Sequence, residues 1–383
     1  MQNHLPSFTP TESDNCAFVN VDVAQSTSLS DIHDYLLKTK ATLHIGEPGF
    51  PSKILVSGDQ QTFSIVKKLI AEHPDLFDWI QPYPGDWHLL KLAAETLRDL
   101  LKDGGFSDLA RDCGLNKEVN QWKDINTLLI ALDESLLHES VKEWEEVKKD
   151  GIPYSEFLET QQNIDNKDEI SRFWVQMLVY LYGYCAYFFA IRSVNWALRN
   201  AALPMLEKLF FAFSHDKYEE LVCGHLRDIM AMPTDIVTRF KEGEWTTSVK
   251  GRPYHNLALD GANECLINRK LKELTRNANE FNTVTLANFI AFLEQFLEKM
   301  TGFVYRHSKK IVGVTKSKHN RFLHVIRARV HSIRLLASTT KRVLVNSFSA
   351  NAPPLDDEQR RDLLRIAVEG RSRMLTYIKQ YMI

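Results

Sequence analysis

Between Lys53 and His88 the apolar pattern changes period twice in a short space. Ile54-Leu55-Val56, bounded by Pro51 and Gly58, predicts a short buried strand. Phe63, Ile65, Val66, Leu69 and Ile70 then follow three-and-four spacing, which predicts a helix ending near Pro74. Trp79 to Tyr83 predicts a second strand, and Pro84-Gly85 turns the chain into Asp86-Trp87-His88 at the start of another helix. A strand, a helix and a strand in such quick succession make an α/β pattern, so an α/β core is expected here. Asp59 falls where the first strand hands over to its helix, and in open α/β sheets ligands collect at the carboxyl ends of strands. The same position equally suits a helix-capping or turn aspartate.

Upstream, Cys16 to Val23 predicts a strand carrying Asp22. Ser28 or Ser30 can cap a helix running from Asp31 through Leu43, and Gly46-Glu47-Pro48-Gly49 forms the turn before the Asp59 strand. Beyond His88 the spacing is helical for a long distance, with helices expected at about 87–102, 117–149, 154–162, 168–200, 203–213, 215–230 and 233–241. Strand signals return at Trp245 to Val249 and at His255 to Leu259. Asp260 then opens a helix on which Asp260, Glu264, Asn268 and Lys272 share one side. Read from the residues alone, this is a helix-capping aspartate followed by surface pairs. The expected organisation is the first part of an α/β core at 1–103, a helical insertion at 104–243, a return to the core at 244–300 and a basic helical region at 301–383.

Composition narrows the class. With 44% hydrophobic and 25% charged residues, the chain is an ordinary globular protein. Its five scattered cysteines form no C-x-x-C pair, which argues against a disulfide framework or zinc finger and for a reducing compartment, nuclear or cytoplasmic. The polar first residues lack the apolar core of a signal peptide. Phe173 to Ile191 approaches the length of a membrane span, but Gln176, Gly183 and four tyrosines favour a buried helix, so no membrane partner is expected.

The net charge of −2 conceals a segregation, because no Asp or Glu occurs from Thr301 to Leu355. Arg306, Lys309, Lys310, Lys316, Lys318 and Arg321 lead into a helical pattern in which His324, Arg327, His331, Arg334, Ser338 and Lys341 form a basic and polar stripe. Leu323, Ile326, Val330, Ile333 and Ala337 form the apolar stripe beside it. Such a face suits nucleic-acid phosphates, and a solvated basic helix has the same pattern.

GDQQT at Gly58 to Thr62, PGDWH at Pro84 to His88, and Asp260-x-x-x-Glu264 followed by Asn268 and Lys272 resemble a transposon-associated family of domains of unknown function. The stretch Phe210 to Val222 fits the same family, so the resemblance spans roughly residues 53–275. That family is similar in turn to the RNase H-like DDE transposases of the hAT, Mutator-like and Kyakuja-Dileera-Zisupton kind. The resemblance implies an RNase H-like core with a large all-α insertion, mostly α overall, acting ancestrally in metal-dependent DNA cleavage and strand transfer. Asp59 and Glu264 would be the second and third acids holding Mg2+ or Mn2+, because hard cations take oxygen ligands. Asp22 is the one acid on an expected strand that could be the first, in an N-terminal core that reads as truncated, so decay of the activity is implied as well. Asp86, His88, Asp260 and Asn268 would support the site, with Asp86 and His88 as a structural clasp or as DNA-positioning groups. DNA is the implied partner, self-association is open, and a non-catalytic binding module is the alternative outcome.

Overall fold

The structure, a computed structural model, describes residues 28–105, 108, 111, 145, 148–151, 153, 168–248, 254–264, 324–328, 342–343 and 355–381. They are mostly helical, with two small sheets. The strand expected at 16–23 and the helices expected at 117–149 and 154–162 lie outside the described residues.

The chain divides into two compact units, each assembled from three segments. The first comprises Met1–Lys91, Tyr187–Ala201 and Lys217–His307. It opens with α1 (Leu29–Thr42), whose N-terminus is capped by Ser28 accepting from the Asp31 N–H at 3.0 Å. Next come β1 (Ile54–Gly58), α2 (Gln60–Glu72), the single turn α3 (Pro74–Phe77) and β2 (Ile80–Pro84). The strands pair in parallel, with Ile54 opposite Ile80 and Gly58 opposite Pro84. Val66 and Leu69 on the inner face of α2 pack with Ile32, Leu36, Ile45, Phe77, Trp79 and Ile80 into one core. Pro82 and Pro84 withhold two N–H donors from β2.

Later segments complete the unit. α4 (Asp86–Asp103) begins straight after β2, while α7 (Asp216–Met230) and α8 (Thr234–Glu242) carry Val222, Ile236 and Phe240 into the interior. Lys67 on α2 pairs with Asp228 on α7 at 2.5 Å. β3 (Thr246–Thr247) and β4 (Leu257–Ala258) form a two-residue antiparallel ladder, the return of strand structure that the sequence predicts. The short α9 (Leu259–Ala262) follows and packs against β1, β3 and β4.

The second unit comprises Leu92–Ala186, Ala202–Asp216 and Ser308–Ile383. Among its described residues are most of α5 (Glu169–Ser193), the second half of α6 (Trp196–Ala212) and α10 (Asp357–Tyr381). Asp168 caps α5 by accepting from the Ser171 N–H at 2.8 Å and pairs with Arg342 at 2.7 Å. Arg360 of α10 reaches Glu169 at 2.9 Å, and Arg373 donates to the Phe211 carbonyl and to Ser214.

The boundary between α5 and α6 differs from the expected break near residue 200. It falls at Val194 and Asn195, where Val194 takes a φ of +57° and the Asn195 side chain accepts from the Leu198 N–H at 2.9 Å. The capping asparagine outweighs Pro204, which sits inside α6 rather than near its first turn. Among the described residues α5 is the one helix long and apolar enough to cross a membrane, and half of its most apolar window is buried in the protein.

Candidate functional site

The carboxyl ends of β1 and β2 gather the residues singled out in the sequence. Asp59 caps α2, its Oδ1 accepting from the Thr62 N–H at 2.8 Å. Asp86 opens α4 at the end of β2, and Asp260 lies in the first turn of α9. The Asp260 carboxylate accepts from the Trp87 N–H at 3.1 Å and the His88 N–H at 3.0 Å, two donors that the first turn of α4 leaves unpaired. It therefore caps not its own helix but one that begins 174 residues earlier in sequence. The negative charge also lies at the positive end of the α4 dipole.

The same carboxylate meets His88 Nδ1 at 2.9 Å, with the two side chains 4% and 22% exposed. The His88 pKa is raised, chiefly by this hydrogen bond and the Asp260 charge and further by the charges of Asp59 and Glu264. Asp59, His88, Asp260 and Glu264 thus form one electrostatic cluster. After Ala262 the helix widens into a π-like turn through Asn263 and half-buried Glu264, a deviation that aims side chains differently from a regular helix. Backbone spacing leaves no room for error. A Cβ on Gly85 would stand 2.7 Å from the Gly58 carbonyl and 2.8 Å from Asp260 Cγ, so only glycine lets the two strand ends and the carboxylate approach this closely.

Asp86 has a different role. Its Oδ1 accepts from Arg199 Nη2 at 2.6 Å and from the Tyr187 hydroxyl at 2.5 Å, while Oδ2 accepts from the Tyr83 hydroxyl at 2.7 Å. Arg199 is sandwiched among the rings of Tyr83, Trp196 and Tyr187, 5.1–5.4 Å from their centroids, and its Nη1 donates to His225 Nε2 at 2.8 Å. Burial drives both tyrosine pKa values well above the ordinary value, with the Asp86 charge adding to the effect. Burial and the Arg199 charge push His225 well below its ordinary value, so it stays neutral. Of the two roles open to Asp86, structural clasp and DNA positioning, its burial and partners fit the clasp. It fixes the start of α4 and hence the position of His88.

Nothing in the sequence pattern singled out Arg199, Tyr83, Tyr187 or His225. One signal was available: Arg199 is the only charge between Trp196 and Leu206, and a lone charge in an apolar helix needs a buried partner.

The donor set sets limits on a metal. Asp86 and Asp260 are occupied by Arg199, tyrosine hydroxyls, backbone N–H groups and His88. Among the described residues no three His, Cys, Asp or Glu side chains stand close enough together to hold one ion. The charges of Asp59 and Glu264 both act on the His88 imidazole, but the described residues do not make up a two-metal cage. Asp22 and Asn268 lie outside the described residues, as do Arg306, Lys309, Lys310, Lys316, Lys318, Arg321, Arg334 and Lys341. Within the helical residues 324–328, His324 and Arg327 are exposed and Ile326 is fully buried, as the two-stripe pattern predicts. No protein-family model, no curated protein and no solved structure matches the chain.

Proposed function

We propose that the strand-end cluster descends from a phosphodiester-processing site and that the chain is a transposase-derived, RNase H-like protein of DDE type acting on DNA in a reducing compartment. The observation that carries this reading is the 2.9 Å contact of Asp260 with His88 at the carboxyl ends of two parallel strands, where the charges of Asp59 and Glu264 also act on the imidazole. Carboxylates at such a position suit Mg2+ or Mn2+, which would supply an activated water and charge neutralisation at the scissile phosphate. Asp59 and Glu264 are the residues of this chain that would contribute to holding it, and His88, oriented by Asp260, would act as a proton acceptor beside them.

A second reading, a binding module without chemistry, draws on the structural occupation of Asp86 and Asp260. Calorimetric titration with Mn2+ and plasmid nicking assays, run on the wild type, Asp59→Asn and Glu264→Gln, separate the two. The catalytic reading expects Mn2+ binding and nicking that both substitutions abolish. DNA binding with neither Mn2+ binding nor nicking would leave the binding module.

A further inference from the structure

Trp87, the middle residue of the Asp86-Trp87-His88 motif, is absorbed by neither the clasp nor the cluster. Trp79, Trp174 and Trp245 are fully buried, whereas Trp87 is only half-buried on the first turn of α4. Its ring meets that of His88 edge-on at 4.8 Å. Gly261, the neighbour of Asp260, lies so close that an added Cβ would stand 2.9 Å from the Trp87 Cβ and Cδ1. One turn along α4, the exposed Lys91 holds its ammonium 5.6 Å from the indole centroid. An aromatic face with an exposed cation over it thus borders the carboxylate cluster.

The chemistry of the neighbours selects the ligand. Asp59, Asp260 and Glu264 make the ground beside Trp87 anionic, which repels a bare phosphate but not the neutral face of a nucleobase. A base can present that face to a side chain only when it is unpaired and unstacked from its neighbours. We infer that Trp87 and Lys91 form a stacking platform for an unpaired nucleotide of single-stranded DNA, the indole taking the base and the ammonium swinging out to the adjoining phosphate. This rests on the proposal that the site handles DNA, and it names the form of DNA that enters.

The test is fluorescence anisotropy with a short labelled oligothymidylate, its duplex and an oligouridylate, on the full chain in chelator so that no metal is involved. The single DNA strand should bind tighter than the duplex, Trp87→Phe should keep that affinity, and Trp87→Ala should weaken it about tenfold. Lys91→Ala, at an exposed position, should lower the magnitude of the log K against log salt slope by about 0.7. Thermal melts check that each variant is folded. If Trp87→Ala fails to fold, the Lys91 slope and the preference for single strands still decide. An unchanged slope, duplex bound as tightly as single strand, or unchanged affinity in folded Trp87→Ala would overturn the platform while leaving the DNA reading intact. Tighter oligouridylate binding would overturn the assignment to DNA, and a wild type that binds none of the three would overturn the DNA reading itself.

Discussion

Asp86 Oδ1 and Arg199 Nη2 meet at 2.6 Å with the two side chains 1% and 0% exposed. A buried pair of this kind adds little net stability over apolar packing, but losing one partner strands a charge in the interior. Asp86→Ala should therefore cost about 3–5 kcal/mol in a denaturant titration. Replacing Asp86 and Arg199 together by apolar residues of similar volume should recover much of that loss. A single substitution costing no more than an ordinary surface change would contradict the arrangement.

His225 and His88 should give the first unit opposite pH responses. His225 has a lowered pKa, so the unfolded chain binds its proton more readily and stability falls as pH drops below about 6.5, the ordinary histidine value. His225→Gln keeps an acceptor for Arg199 and removes that titration. Its stability profile on the acid side should be flatter than that of the wild type.

For His88 the sign reverses. Its raised pKa stabilises the fold fully below about 6.5, and that contribution is lost as pH rises through the folded value. An NMR titration should put His88 above the ordinary histidine value in the wild type and nearer to it in Asp260→Asn. Unchanged titration in that variant would mean that the Asp260 contact does not set the shift.

Gly85→Ala should damage the cluster although it replaces none of the cluster's own side chains. The new methyl would press on the Gly58 carbonyl and the Asp260 carboxylate, with an overpacking cost of about 1–3 kcal/mol. The His88 shift should shrink along with the stability, a double effect that tolerated surface substitutions would not produce.

Cys185 offers a test in the second unit. Burial pushes its thiol up to about 12, so little thiolate is present at neutral pH. Peptide mapping after maleimide treatment should find Cys185 labelled slowly in native protein and quickly after denaturation.

The crossover of β1, α2 and β2 was legible because each element states its own period and is bounded by Gly, Pro or a capping residue. The same held for α7 and α8. Asp260 was legible as a capping residue but not as the cap of α4, since a carboxylate's partner can lie anywhere the chain returns to. The α5–α6 break was misplaced because helical spacing alone does not mark it, while the Asn195 cap and the left-handed Val194 decide the geometry. Arg199 stayed hidden for a related reason: a helical period reports which face is apolar and is silent about a single charge neutralised from another segment.

The separation of Asp86 from Arg199 by 113 residues sets an order of events during synthesis. When the β1, α2 and β2 segment leaves the ribosome, the start of α4 carries a carboxylate with no counter-charge and a histidine with no acceptor. Arg199 supplies the first only after α5 has been made, and Asp260 supplies the second later still. The core of the crossover is built from residues 32–80 alone, but the clasp at the start of α4 can close only once Arg199 has been made.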